Sequence, residues 1–458
     1  MNRDLRIATA LALCMFGIYN ANGREIGSYD SQPTKYAARE LLLRGTLSLN
    51  HVVGKTPELG KRTPFVQTRS GRYRSAYSPV PAVIAAGLTW PFWKTGLIDI
   101  RAARAPSLMA AVTASMLVAI AVALAFLIAR DLALPQTGLS VRRSLFLALG
   151  FGAGTGLWCT ASQTLWQHET AIFGLTLAVF ALVSLEQRRH WMLAALLGLA
   201  LGVAAGARFQ LAPAIAFMLV GTAFTIGLRP AGIAAAFAGL IVIPVLVTNY
   251  LWFGTIAGAA PILEAMHSQV HRTYSSFVLD FEGFGGLLVS PNRGLFVFSP
   301  IAIVALIGIP SVIRSGRRSV GFWLCAAAAA QYVLYSLYSV WWGGHTYGPR
   351  YMLDVLPLLI PAAAFGMDAL HGRLRIALGT AALAWSVAIA AIGAFNYPQD
   401  RWNSEPVDVD RNHERLWDWS DPQIRRAWDA GFNSQNFTLF TRDSVRLPQP
   451  VRPAEGRP

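Results

Sequence analysis

Residues 105–129 read APSLMAAVTASMLVAIAVALAFLIA, without one charged side chain. In hydrocarbon no water satisfies backbone N–H and C=O groups, so such a stretch must close its own hydrogen bonds as a helix. About 20 apolar residues cross a core of about 30 Å. Comparable runs recur at roughly 5–22, 144–161, 170–186, 191–207, 211–227, 231–251, 299–313, 319–340, 353–370 and 376–395. Only 14% of residues are charged and 54% are hydrophobic, whereas a soluble domain carries about 25% charged residues. The chain reads as an all-α polytopic membrane protein with about eleven transmembrane helices.

Orientation follows from the short connections. Arg3/Arg6, Arg130 with Arg142/Arg143, Arg188/Arg189, Arg229, Arg314/Arg317/Arg318 and Arg373/Arg375 fall in alternate ones. The positive-inside rule makes these cytoplasmic. The long first loop 23–104, residues 163–169, the Arg208 turn, loop 252–298, WWGGHTYGPR and the tail from Asn396 then face outward. The run 80–93, VPAVIAAGLTWPFW, is short and carries Pro81, Gly87 and Pro91. Were it to span, every later loop would flip, so it reads as re-entrant or interfacial. The expected topology has the N-terminus cytoplasmic and the C-terminus outside, with residues 1–395 a transmembrane catalytic unit and 396–458 a small outer appendage, disordered at its end.

The formal charge of +15 comes from 39 Lys+Arg against 24 Asp+Glu. Nucleic-acid binding would cluster that excess on a soluble face; here much of it punctuates apolar runs, so no nucleic-acid partner is expected. Cys14, Cys159 and Cys325 lie in or beside apolar runs without metal-site spacing and read as small core residues. After the basic start and the run Ile7–Tyr19, the exit YNAN lacks a small-x-small cleavage site, which favours a retained first span over a cleaved signal peptide.

Polar side chains at membrane depth are costly and mark function. They gather on the outward set. In GSYDSQPTKYAARELLLRG, Ser31 or Thr34 can cap a helix, Pro33 suits its first turn and Gly45 its end. Asp30 then sits at the positive end of the helix dipole; it reads either as a helix-start residue or as an ionised general base. Lys35 and Arg39 share a face, i and i+4. TLWQHE offers His168 and Glu169, able to bind phosphate, hold a metal or serve local structure. Arg208 in GARFQLAP could snorkel to head groups or grip phosphate with its planar fork. SPNRGLFVFSP holds Arg293 in irregular backbone, tolerated at this depth only in a cavity or inside protein. WWGGHTYGPRYMLDVLP holds His345, Arg350 and Asp354; its glycines suggest close approach to a ligand, and Arg350 and Asp354 stand i, i+4, so they can pair. The Asp408/Asp410 pair in the tail reads as solvated surface, and no metal site is expected.

These segments, with YSPVPAV and LLLRGTLSL, resemble the GT-C superfamily of membrane glycosyltransferases, in its bacterial branch related to protein O-mannosyltransferases and lipid A aminoarabinose transferases. The likeness extends over roughly 1–395 in topology. It implies a polyprenyl-phosphate sugar as donor, a periplasmic active site at the bacterial inner membrane, and an acidic first-loop residue, here Asp30, as catalytic base. It implies inverting attack by the acceptor at the anomeric carbon, with the lipid phosphate leaving toward Lys35, Arg39, His168, Glu169, Arg208, Arg293, His345 or Arg350. Tyr36, Tyr347 and Asp354 are expected as supporting residues. The first loop has Asp30-Ser31 where the family commonly has an Asp-Glu doublet, and Glu169 stands where a small residue is usual. The acceptor is a lipid, glycan or protein, and a divalent cation is possible but without sequence support. An O-antigen polymerase or ligase would place its chemistry in loop 252–298; a transporter or flippase would carry charge in mid-span.

Overall fold

The computed structural model describes residues 3–62, 64–132, 140–271, 277, 279 and 281–440. Two long helices form its centre. Ala105–Asp131 and His168–Arg188 have 78% and 83% of their most apolar windows buried. Leu228–Phe253 and Arg373–Phe395 are equally apolar, but only 17% and 22% of theirs is buried. They are the outer helices and turn Leu240, Ile243, Leu251, Leu374, Leu378 and Trp385 outward, a surface suited to lipid.

Every segment expected to span falls on helix. The first expected span is Arg3–Tyr19. Among the described residues, four helices meet the length and composition of a membrane crossing, and a fifth candidate is Val141–Gly152 with Gly156–Gln163, bent by 44°. Five more apolar helices are shorter. The shortening has local causes. The segment expected at 353–370 opens with 3-10 turns at Arg350–Asp354 and Leu356–Leu359 before the α-helix Ile360–Ala369. Pro357 and Pro361 fall in the first turns of Leu356–Leu359 and Ile360–Ala369, where a missing N–H costs least. The run 80–93 forms one helix, Val80–Lys94. It packs on Gln32–Arg44 and Ala105–Asp131, with Trp90 and Phe92 exposed. Outside the helices, the first loop adds a small hairpin, Phe65–Gln67 paired antiparallel with Tyr73–Ser75.

The arginine-bearing helix ends meet at one end of the bundle. Arg130 pairs with Asp4 at 2.9 Å, Arg188 with Asp131 at 3.6 Å and Arg143 with Asp368 at 3.7 Å. Arg189 donates to the Ile226 carbonyl at 2.9 Å, and Glu186 accepts from the Val320 N–H at 3.2 Å. His168 begins the helix that Arg188 ends, so the candidate site lies at the opposite end.

The tail packs there too. Arg293 is fully buried and donates all five of its N–H bonds: to the carbonyls of Trp342 (3.0 Å), Asn292 (2.6 Å) and Gly344 (3.0 Å), and to Gln423 (2.9 Å) and Asn403 (2.7 Å). Burial lowers its pKa to about 10, opposed by Tyr397 and Asp410. The expected disordered finish lies outside the described residues.

Helix Ile303–Arg314 and helix Ile360–Ala369 touch backbone to backbone. A Cβ on Gly308 would lie 1.8 Å from the Ala362 carbonyl, and one on Gly366 would lie 1.9 Å from that of Val304. Small residues permit such approach between apolar helices. Gly308→Val should cost about 1–3 kcal/mol, read as a lowered Tm in detergent. Gly232→Ala, with nothing within 4 Å of the added carbon, should show no such loss.

Candidate active site

Asp30 owes its position to two local devices. Ser28 caps a 3-10 turn, Tyr29–Ser31, by accepting from the Asp30 N–H at 3.1 Å. The helix Gln32–Arg44 follows at once, with Pro33 in its first turn and Gly45 closing it at φ 65°. Ser31 holds the N-cap position but makes no side-chain cap bond. The Asp30 carboxylate faces Arg350 at 3.6 Å and is 39% exposed, so an incoming group can reach it. The Tyr77 hydroxyl donates to it as well; burial first, then the Asp30 charge, holds that phenol well above its usual pKa, so it stays a donor.

Arg350 lies over the rings of Trp166, at 5.4 Å, and Tyr351, at 5.5 Å. Its Nε and the indole Nε1 of Trp166 are buried with no hydrogen-bond acceptor among the described residues. Buried donors of this kind ordinarily find a partner.

Behind this pair sits a closed polar knot. Asp354 is fully buried and accepts from His168 Nδ1 at 2.9 Å and from the Tyr335 hydroxyl at 2.6 Å, and it lies 3.0 Å from Arg208 Nε. Arg208 also reaches His168 Nε2 at 3.3 Å. An arginine can only donate, so Nε2 accepts and the proton sits on Nδ1: His168 is neutral. Asp354 and Arg208 cancel in charge, as do Asp30 and Arg350. The two pairs are joined through Tyr351, whose ring is 5.9 Å from Arg208 and stacks on Tyr335 at 5.0 Å. Gln167, just before His168, has φ 83°, a left-handed conformation that a side chain adopts at a cost of about 1–3 kcal/mol and that gathers at functional sites.

The structure thus brings Asp30, His168, Arg208, Arg350 and Asp354 together. It separates others. Arg350 and Asp354 do not pair with each other. Their segment is a 3-10 turn, in which i and i+3 align and i+4 does not. Arg293 has no N–H left for a phosphate; it is a structural hub, not a head-group ligand. Lys35 is tied to Glu25 at 2.5 Å and to Ser107 at 3.1 Å. Arg39 lies over Tyr36 at 5.5 Å beside Glu40 at 3.8 Å, with its Nε unpartnered. Glu169 is fully buried; one oxygen accepts from Thr170 at 3.0 Å and the other has no partner. Tyr347 packs on Phe298 at 5.2 Å and donates to the Ile389 carbonyl at 3.1 Å. His345 turns to the tail. The glycines flanking it do not serve close approach to a ligand alone: Gly343 stands against Arg350 and Gly348 against the Phe298 ring. Tyr77, Trp166, Tyr335 and Tyr351 are site residues that the sequence reading passes over. All are aromatics, which in a membrane protein look like belt or core.

No family profile matches the sequence, and no curated relative does. Likeness to solved structures shows the fold, which is that of an archaeal oligosaccharyltransferase. The archaeal oligosaccharyltransferase AglB from Archaeoglobus fulgidus, solved with an inhibitory peptide and a dolichol-phosphate, superposes with a TM-score of 0.52 at 13% identity, over 92% of this chain and 60% of its own. A second structure of the same enzyme, with Zn and sulfate, gives 0.52 at 14%, over 92% and 58%. This chain therefore spans about three-fifths of the archaeal enzyme's length. ArnT from Cupriavidus metallidurans, bound to undecaprenyl phosphate, matches over 95% of this chain and 76% of its own, at 13% identity and a TM-score of 0.49.

Removing one member of a buried ion pair strands the other. Asp354→Ala should therefore cost about 3–5 kcal/mol, seen as a large fall in Tm. Asp354→Leu combined with Arg208→Met should recover much of it, because no buried charge is left alone.

Proposed function

We propose that this protein is an inverting glycosyltransferase that takes a sugar from a polyprenyl-phosphate donor and passes it to a lipid, glycan or protein acceptor at the outer face of a bacterial inner membrane. One observation carries this reading: a partly exposed carboxylate, Asp30, stands against Arg350, whose Nε and the neighbouring Trp166 Nε1 lack acceptors. A phosphate oxygen would satisfy both, and a guanidinium matches phosphate in shape and charge. The dolichol-phosphate held by the archaeal enzyme of the same fold is a ligand of that chemistry.

In the proposed reaction, the acceptor hydroxyl gives its proton to Asp30 as its oxygen bonds to the anomeric carbon from the face opposite the phosphate. The bond between that carbon and the phosphate oxygen breaks, and its electron pair leaves with the lipid phosphate. Arg350 and Trp166 stabilise the charge that develops there. His168 and Arg208 act through Asp354 and Tyr351, holding Arg350 in place. The orientation follows the arginine pattern: the end carrying Arg130, Arg188 and Arg314 is cytoplasmic, and Asp30 and the tail are periplasmic.

Full-length protein in vesicles, supplied with a panel of labelled polyprenyl-phosphate sugars, should yield one glycosylated product identifiable by mass. Asp30→Asn should slow transfer by at least about 100-fold with Tm and membrane content unchanged. Undiminished turnover in that variant removes Asp30 as base, and no turnover by the wild type with any donor removes the reaction.

A further inference from the structure

A second cluster, apart from Asp30, joins the WWGGH loop to the tail. His345 Nε2 lies 3.3 Å from Asp408 Oδ1 and 3.6 Å from Asp410 Oδ2. One donor atom from each of the three falls within 4.8 Å of the others. In a tetrahedral zinc site with bonds of about 2.0 Å, neighbouring ligand atoms stand roughly 3.3 Å apart. The His345 separations have that spacing.

We propose that His345, Asp408 and Asp410 bind one divalent transition-metal cation of the Zn2+ class. The donor set is one imidazole and two carboxylates, which such a cation favours over Mg2+.

The surroundings are also those of a metal site. The second oxygen of Asp410 accepts from Trp342 Nε1 at 2.7 Å, and the Asp410 N–H donates to Asp408 Oδ1 at 2.9 Å. Outer partners of this kind orient carboxylate ligands. Three protein ligands leave a coordination position open, and His345 also lines a polar cleft of about 400 Å³ with Asp400, Asn403 and Glu405. The cation would pin the tail to the loop that carries Gly343, against which Arg350 rests. It would act as a clamp on the site from outside it. This inference does not depend on the proposed transfer reaction.

The test uses the untagged full-length chain in detergent, stripped with EDTA and then titrated with Zn2+ alone. Wild type should take up about one Zn2+ per chain and gain Tm as it does so. His345→Ala alters a partly exposed side chain, and Asp410→Asn keeps an acceptor for Trp342. Each should weaken Zn2+ affinity at least tenfold and abolish the Tm gain. Trp342→Phe should weaken it about 10–100-fold. The proposal is overturned if stripped wild type takes up no stoichiometric Zn2+, if the variants bind it as wild type does, or if Mg2+ binds equally well.

Discussion

The Asp354 carboxylate holds the site-bearing end of this bundle together. It accepts from a histidine that starts one helix and a tyrosine at the end of another, and it is ion-paired with an arginine that ends a third. In an apolar interior such a group is tolerable only when its charge and lone pairs are matched. Meeting that demand draws the three helix ends to one point and leaves the surrounding backbone irregular. Tyr351 and Arg350, next to Asp354 in sequence, are carried to the edge of the knot, where Arg350 meets Asp30.

Much of this was legible in the sequence. Apolar runs located the helices, and arginine spacing divided one end of the bundle from the other. Asp30, Arg208 and His168 drew attention because charge at an apolar boundary is rare. Which charge meets which was not legible. Reading Arg350 and Asp354 as partners assumed an α-helical turn, whereas Arg350–Asp354 and the Leu356–Leu359 turn that carries Pro357 are wound more tightly. Arg293 looked like a head-group ligand because its partners are carbonyls and side-chain amides, which leave no charge signature to read. Aromatic donors were hidden for a related reason: Trp166 and Tyr335 differ from dozens of membrane aromatics only in what lies beside them.

The tail shows how much of a site can lie outside the segments that name it. Asp408 and Asp410 read as a solvated pair because two carboxylates in a polar tail usually are one. In the structure His345, far earlier in the chain, stands beside both. Trp342, which anchors Asp410, belongs to the same loop as His345, so one short segment faces the tail with two residues and Arg350 with a third.

The Arg293 hub has a consequence for biogenesis. Its acceptors include Asn403 and Gln423, which lie 110 and 130 residues further along the chain. While the protein is being threaded into a bilayer, this guanidinium waits, hydrated, until the last apolar helix is in and the polar tail has followed. This end of the bundle therefore sets only after residues 403 and 423 have been made, and a chain cut short before residue 403 would lack two of the five acceptors that hold Arg293 against the loop bearing Arg350.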